Sequence, residues 1–97
     1  MKRSYHIMLS LKASDGYQCF GQYLLGSDKT FADEIFSQLK GSGMITEYAK
    51  LHMDLVEEAD GLPATVKTIC CTLDEFTANC KHLAKEIFRL HTLKELL

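Results

Sequence analysis

Leu51-His52-Met53-Asp54-Leu55-Val56-Glu57-Glu58 admits two periods, and the choice between them settles how many strands the chain has. Ile45, Tyr48, His52, Leu55 and Val56 recur at helical spacing, and residues 47–59 are rich in good helix formers. Leu51, Met53 and Leu55 also alternate with His52 and Asp54, the pattern of a strand with one packed face. A second stretch breaks the tie. Tyr5-His6-Ile7-Met8-Leu9 stands 46 residues earlier with the same alternation, and both runs lead through an alanine (Ala13, Ala59) into Asp-Gly (Asp15-Gly16, Asp60-Gly61). Ser27-x-x-x-Phe31 likewise precedes Thr72-x-x-x-Phe76 by 45 residues. The match predicts a strand over 51–58.

Working outward, both halves read strand, turn, strand, cap, helix. In the first, Tyr5, Ile7, Leu9 and Leu11 alternate with His6, Met8, Ser10 and Lys12, residues 12–16 turn, and residues 17–25 return with Gly21 at a bulge or close approach. Ser27 or Asp28 caps a helix with the buried stripe Phe31, Ile35, Phe36 and Leu39, and Gly41 stands where a left-handed C-terminal cap is wanted. In the second half, Leu62-Pro63 ends the turn and residues 64–71 form the return strand. Thr72-Leu73-Asp74-Glu75 is a capping box opening a long helix, with the stripe Phe76, Cys80, Leu83, Ala84, Ile87, Phe88 and His91. Residues 41–50 fit a loop, an added strand or a helix.

Two hairpin-helix units, pseudo-repeats 5–41 and 51–97, give an α+β domain over 1–97 with element order ββαββα. The expected form is a four-stranded antiparallel sheet with two helices on one face, ordered 2-1-3-4 about a pseudo-two-fold axis, or alternatively 1-2-4-3. The size agrees. Ninety-seven residues with 46% hydrophobic and 25% charged content support one core but not two.

Leu62-Pro63, Lys67-Thr68 and the run Cys71-Thr72-Leu73-Asp74-Glu75-Phe76-x-x-Asn79-Cys80 together resemble those of small uncharacterised bacterial proteins of about this length. The resemblance implies the same fold and brings no activity.

Chemistry is sparse by comparison. Cys70 and Cys71 are adjacent, Cys80 and Cys19 stand apart, and no C-x-x-C occurs, so buried reduced thiols are expected rather than a redox pair or zinc ribbon. His6, His52 and Asp54 are of metal-ligand type. With the first and third strands antiparallel, however, some six residues, or about 20 Å, would separate the two imidazoles, and partly exposed sheet-face histidines are expected instead. The acidic residues Asp54, Glu57, Glu58 and Asp60 fall on a strand end and turn, where charge is solvated. No nucleophile, phosphate loop or metalloprotease motif appears, so neither an enzyme nor a cofactor is expected.

Lys81, Lys85 and Arg89 form a basic line able to contact an anion, and Tyr17, Phe20 and Tyr23 superficially resemble the aromatic strands of RNA-binding sheets. A formal charge of -2 and the wrong element order argue against nucleic acid. A helix from Leu73 to Leu97 would reach about 37 Å against about 26 Å for an eight-residue strand, leaving Leu90, Leu93, Leu96 and Leu97 as an apolar ridge for a partner. The sheet face with Met8, His6, Val56 and Asp54 offers a second such surface. The expected function is a non-enzymatic protein-interaction module acting as a homodimer. A small-ligand or metal binder using the open sheet face is the alternative. His6 and Lys12 interrupt the apolar N-terminal run and no span suits a membrane, so a cytoplasmic protein without membrane partners is expected.

Overall fold

A computed structural model describes residues 2–44 and 50–96, with side chains through Thr92. The elements run β1 (Arg3–Ala13), β2 (Gly16–Gly26), α1 (Lys29–Ser37), β3 (Leu51–Ala59), β4 (Leu62–Cys71) and α2 (Leu73–Leu96). All strand pairs are antiparallel, in the order β2-β1-β3-β4. The chain is therefore an α+β fold of the ββαββα order, with the ambiguous stretch 51–58 extended. The alternative 1-2-4-3 join is excluded.

Alternation selects the packed face. Tyr5, Ile7 and Leu9 of β1 and Met53 and Leu55 of β3 are buried beneath the helices with Ala32, Ile35, Phe36, Phe76 and Leu83. Leu39 packs on this core from beyond the end of α1. The β3–β4 hairpin closes through Asp60-Gly61, whose φ angles of 52° and 83° are the paired positive values of a tight primed turn. The first hairpin closes through residues 14–15, one step earlier than the spacing suggested, because Ala13 and Gly16 still pair. A register shift between Leu9 and Ser10 inserts Phe20 as the extra residue of a bulge beside Gly21.

Caps define the helices. Asp28, rather than Ser27, caps α1 by accepting from the amides of Thr30 (2.9 Å) and Phe31 (3.3 Å). Thr72 and Glu75 close the capping box of α2: the Thr72 amide donates to Glu75 Oε1 at 2.9 Å, and the Glu75 amide to Thr72 Oγ1 at 3.2 Å. Gly41 is not a left-handed cap. It has no positive φ, and a Cβ there would meet the Cys70 carbonyl oxygen at 2.9 Å. Glycine is needed because the chain passes so close to β4 that Ser42 and Cys70 exchange backbone hydrogen bonds of 2.9 and 2.8 Å.

Each helical segment reaches the other half's hairpin. Phe76 of α2 lies 5.7 Å from Phe20 of β2, ring centroid to centroid, and Cys80 meets Tyr23. The chain after α1 in turn abuts β4 at Gly41 and Ser42. Asn79, 2% exposed, ties the two together: its Oδ1 accepts from the Lys40 amide and its Nδ2 donates to the Lys40 carbonyl, both at 2.8 Å.

The stripe on α2 is narrower than its hydrophobic residues suggest. Phe76, Leu83 and Ile87 face the core, whereas Ala84 and His91 are exposed and Phe88 is 72% exposed. The neighbouring α1 explains the difference. It draws Asn79, His82 and Glu86 to its side, with His82 Nε2 2.6 Å from Gln38 Oε1, and so leaves the opposite flank in solvent. No helix among the described residues is long and apolar enough to cross a membrane.

Candidate functional site

The second sheet face carries no helix. Cross-strand register places His6 beside Val56, Met8 beside Asp54, and Ser10 beside His52, all pointing away from the core residues that alternate with them. Asp54 and His52 are joined in turn by Thr68 and Cys70 of β4. His6 and His52 thus share a face, but the register separates them by four residues rather than six, about 13 Å along the strands. One ion cannot bridge that distance. Among the described residues, no group of three His, Cys, Asp or Glu side chains could hold a metal.

The two histidines differ. His6 is half-buried, as expected of a sheet-face imidazole. His52 is only 8% exposed, because the Tyr17 ring reaches over β1 and stacks on it, centroids 4.1 Å apart. Its Nε2 is buried with no hydrogen-bond partner. Neither the stacking nor the orphan nitrogen could be read from spacing, because both depend on which residues the two hairpins bring together. Asp54 accepts a 2.5 Å hydrogen bond from the Thr68 hydroxyl, and Glu57 pairs with Arg3 at 3.2 Å. Part of the acidic cluster is therefore engaged within the sheet.

The cysteines are free. Cys19 is exposed, Cys70 lies on the helix-free face, and Cys71 packs in the core with Cys80 beside it. Burial, with the Glu75 carboxylate adding to it, pushes the Cys71 thiol up from 9.0 to about 11, so it is protonated at neutral pH. Burial beside Cys80 likewise raises the Tyr23 phenol. Neither group is a ready nucleophile.

Tyr17, Phe20 and Tyr23 do not make a stacking platform. Tyr17 lies on the helix-free face, while Phe20 and Tyr23 meet α2 on the other. Lys81, Lys85 and Arg89 stand exposed on the outer side of α2, Arg89 3.7 Å from Glu86.

The expected overhang of the last helix rested on eight-residue strands. β1 and β2 each have 11 residues, roughly 36 Å, longer than the eight-residue strand, and α2 has 24, about 36 Å. Leu90 is half-buried and shares a hollow with Leu25 and Phe31. The side chains of Leu93 and Leu96, and all of Leu97, lie outside the described residues.

Comparison with protein-family models, curated proteins and solved structures finds no match to this chain.

Proposed function

We propose that this protein is a non-enzymatic interaction module of the cytoplasm that works as a homodimer. The observation that carries this reading is the exposed apolar surface shared by β2 and α2: Phe20 on the strand, and Leu73 and Phe88 on the helix, each more than half exposed. These residues sit on well-capped, regular elements, and contiguous apolar surface of that kind marks an interaction site. A symmetric dimer is the default assembly for such a chain. Sedimentation equilibrium at micromolar concentration tests the proposal: a reversible monomer–dimer equilibrium is expected, and a single monomeric species at every concentration overturns it.

A second reading makes the helix-free face a binding surface for a small polar ligand. It rests on the buried, unpartnered Nε2 of His52, since such an atom ordinarily has a partner. Thermal shift against metals and metabolites, with His52→Phe as control, separates the readings. Stabilisation lost in the variant would support a ligand, and none at hundreds of micromolar would leave the dimer.

A further inference from the structure

The two edges of the sheet are built differently. β4 carries Pro63, which has no amide proton, and Lys67, and near its end Ser42 already pairs with Cys70. Proline, lysine and a covering segment are common means of blocking an edge strand. β2, Gly-Tyr-Gln-Cys-Phe-Gly-Gln-Tyr-Leu-Leu-Gly, has none of them: over 11 residues it holds no Asp, Glu, Lys, Arg or Pro, and among the described residues the one strand paired with it is β1. Its other side is a row of backbone donors and acceptors that another strand would satisfy.

The helix above it agrees. Phe76 and Cys80 of α2 rest on Phe20 and Tyr23 of β2, while Asn79 and His82 on the same helix face Lys40 and Gln38. The flank of α2 turned away from α1 therefore lies above the β2 edge. Leu73, Thr77, Ala84, Phe88 and His91 recur along that flank at helical spacing, all exposed and none carrying a formal charge with His neutral. Lys81 and Lys85 follow on the outer side of the helix, where Lys85 and Arg89 share a hollow with Phe88. The strand edge is thus uncharged, and the helix flank above it is apolar or neutral with Lys81, Lys85 and Arg89 along its outer border.

We infer that two copies join along this side, β2 against β2 antiparallel about a two-fold axis, making one continuous eight-stranded sheet with the two α2 helices adjacent above it. The inference rests on the homodimer reading above and names its interface. A second copy is the occupant because an antiparallel strand edge is self-complementary under a two-fold axis, and because a strand without charge brings no like-charge contact when it meets itself. The size is sufficient. A strip about 36 Å long and roughly 20 Å deep covers on the order of 700 Å² per copy, or about 1,400 Å² in all, the scale of a specific interface.

The test compares the wild type with Phe88→Glu on the proposed interface and Leu62→Lys on the opposite edge, both at exposed positions, so that folding is retained and confirmed by circular dichroism. Sedimentation gives the association constant, and hydrogen exchange reads the amides of β2 and β4 in concentrated and diluted samples. Phe88→Glu is expected to weaken dimerisation by about tenfold or more, because it buries a charge against its own copy, while Leu62→Lys leaves it unchanged. The β2 amides should gain protection on concentration and those of β4 should not. A dimer that survives Phe88→Glu with β2 amides unprotected overturns the interface but keeps the homodimer. A monomer throughout overturns both.

Discussion

The phenol ring of Tyr17 lies over the imidazole of His52 with centroids 4.1 Å apart and planes inclined by 22°. The two residues come from β2 and β3, with β1 between them, so the ring acts as a lid across three strands. Tyr17→Ala is expected to cost about 1 kcal/mol of stability for the lost stacking. It should also open His52, so that diethyl pyrocarbonate modifies it as fast as the exposed His91, whereas in the wild type it reacts more slowly. An unchanged modification rate would mean that something other than Tyr17 shields the ring.

Asn79 satisfies both the amide and the carbonyl of Lys40 from within the core. Asn79→Ala leaves the Lys40 amide without its partner and the carbonyl with only the weak Cys71 thiol donor at 3.5 Å, and a loss of about 2–3 kcal/mol is expected in urea unfolding. Asn79→Asp keeps the acceptor but removes the donor and adds a buried charge, so its destabilisation should deepen as pH rises through the carboxylate range. Equal stability of Asn79→Asp at low and neutral pH would contradict this role.

Gly41 and Gly43 stand two residues apart in the segment after α1 and should respond oppositely to a methyl group. At Gly41 a Cβ would press on the Cys70 carbonyl oxygen at 2.9 Å, whereas at Gly43 nothing lies within 4 Å. Gly41→Ala is expected to cost about 1–3 kcal/mol and to speed exchange of the Ser42 and Cys70 amides. Gly43→Ala should be neutral or slightly stabilising. Thermal melts of the two variants side by side decide the matter.

Cys71 makes stability depend on alkaline pH. Its thiol ionises near 9.0 when exposed but near 11 in the fold, so from about pH 9 upward the unfolded chain binds fewer protons than the native one. Stability should therefore be constant in this respect below pH 9 and fall between pH 9 and 11. The fall should be shallower in Cys71→Ala. Iodoacetamide at pH 8 should label exposed Cys19 well before Cys71. Simultaneous labelling of the two would remove the argument.

Elements governed by short-range patterns were legible. Alternation in residues 51–58, supported by its counterpart at 5–9, found the third strand, and Thr72 with Glu75 marked the start of α2 to the residue. What depends on a neighbour was not legible. The exposure of Phe88 follows from α1 lying on one side of α2, and periodicity cannot say on which side a helix will be covered. The true role of Gly41 needed the Cys70 carbonyl, nearly thirty residues away in sequence. At the candidate site, spacing identified His6, His52 and Asp54 as residues of one sheet face, but the Tyr17 lid required the strand order. β1 runs past both ends of the alternation read at 5–12, because Arg3, Ser4 and Ala13 are held by their partners on β2 and β3 rather than by an apolar pattern.

Phe76 and Cys80 belong to the later half of the chain yet shelter Phe20 and Tyr23 of the earlier half, while Gly41 and Ser42 return the contact to β4. Neither half owns a finished interior. Severing the polypeptide between Lys40 and Lys50 would yield two fragments that are each incompetent alone and regain order only by recombining, and the intact molecule should melt in a single all-or-none step.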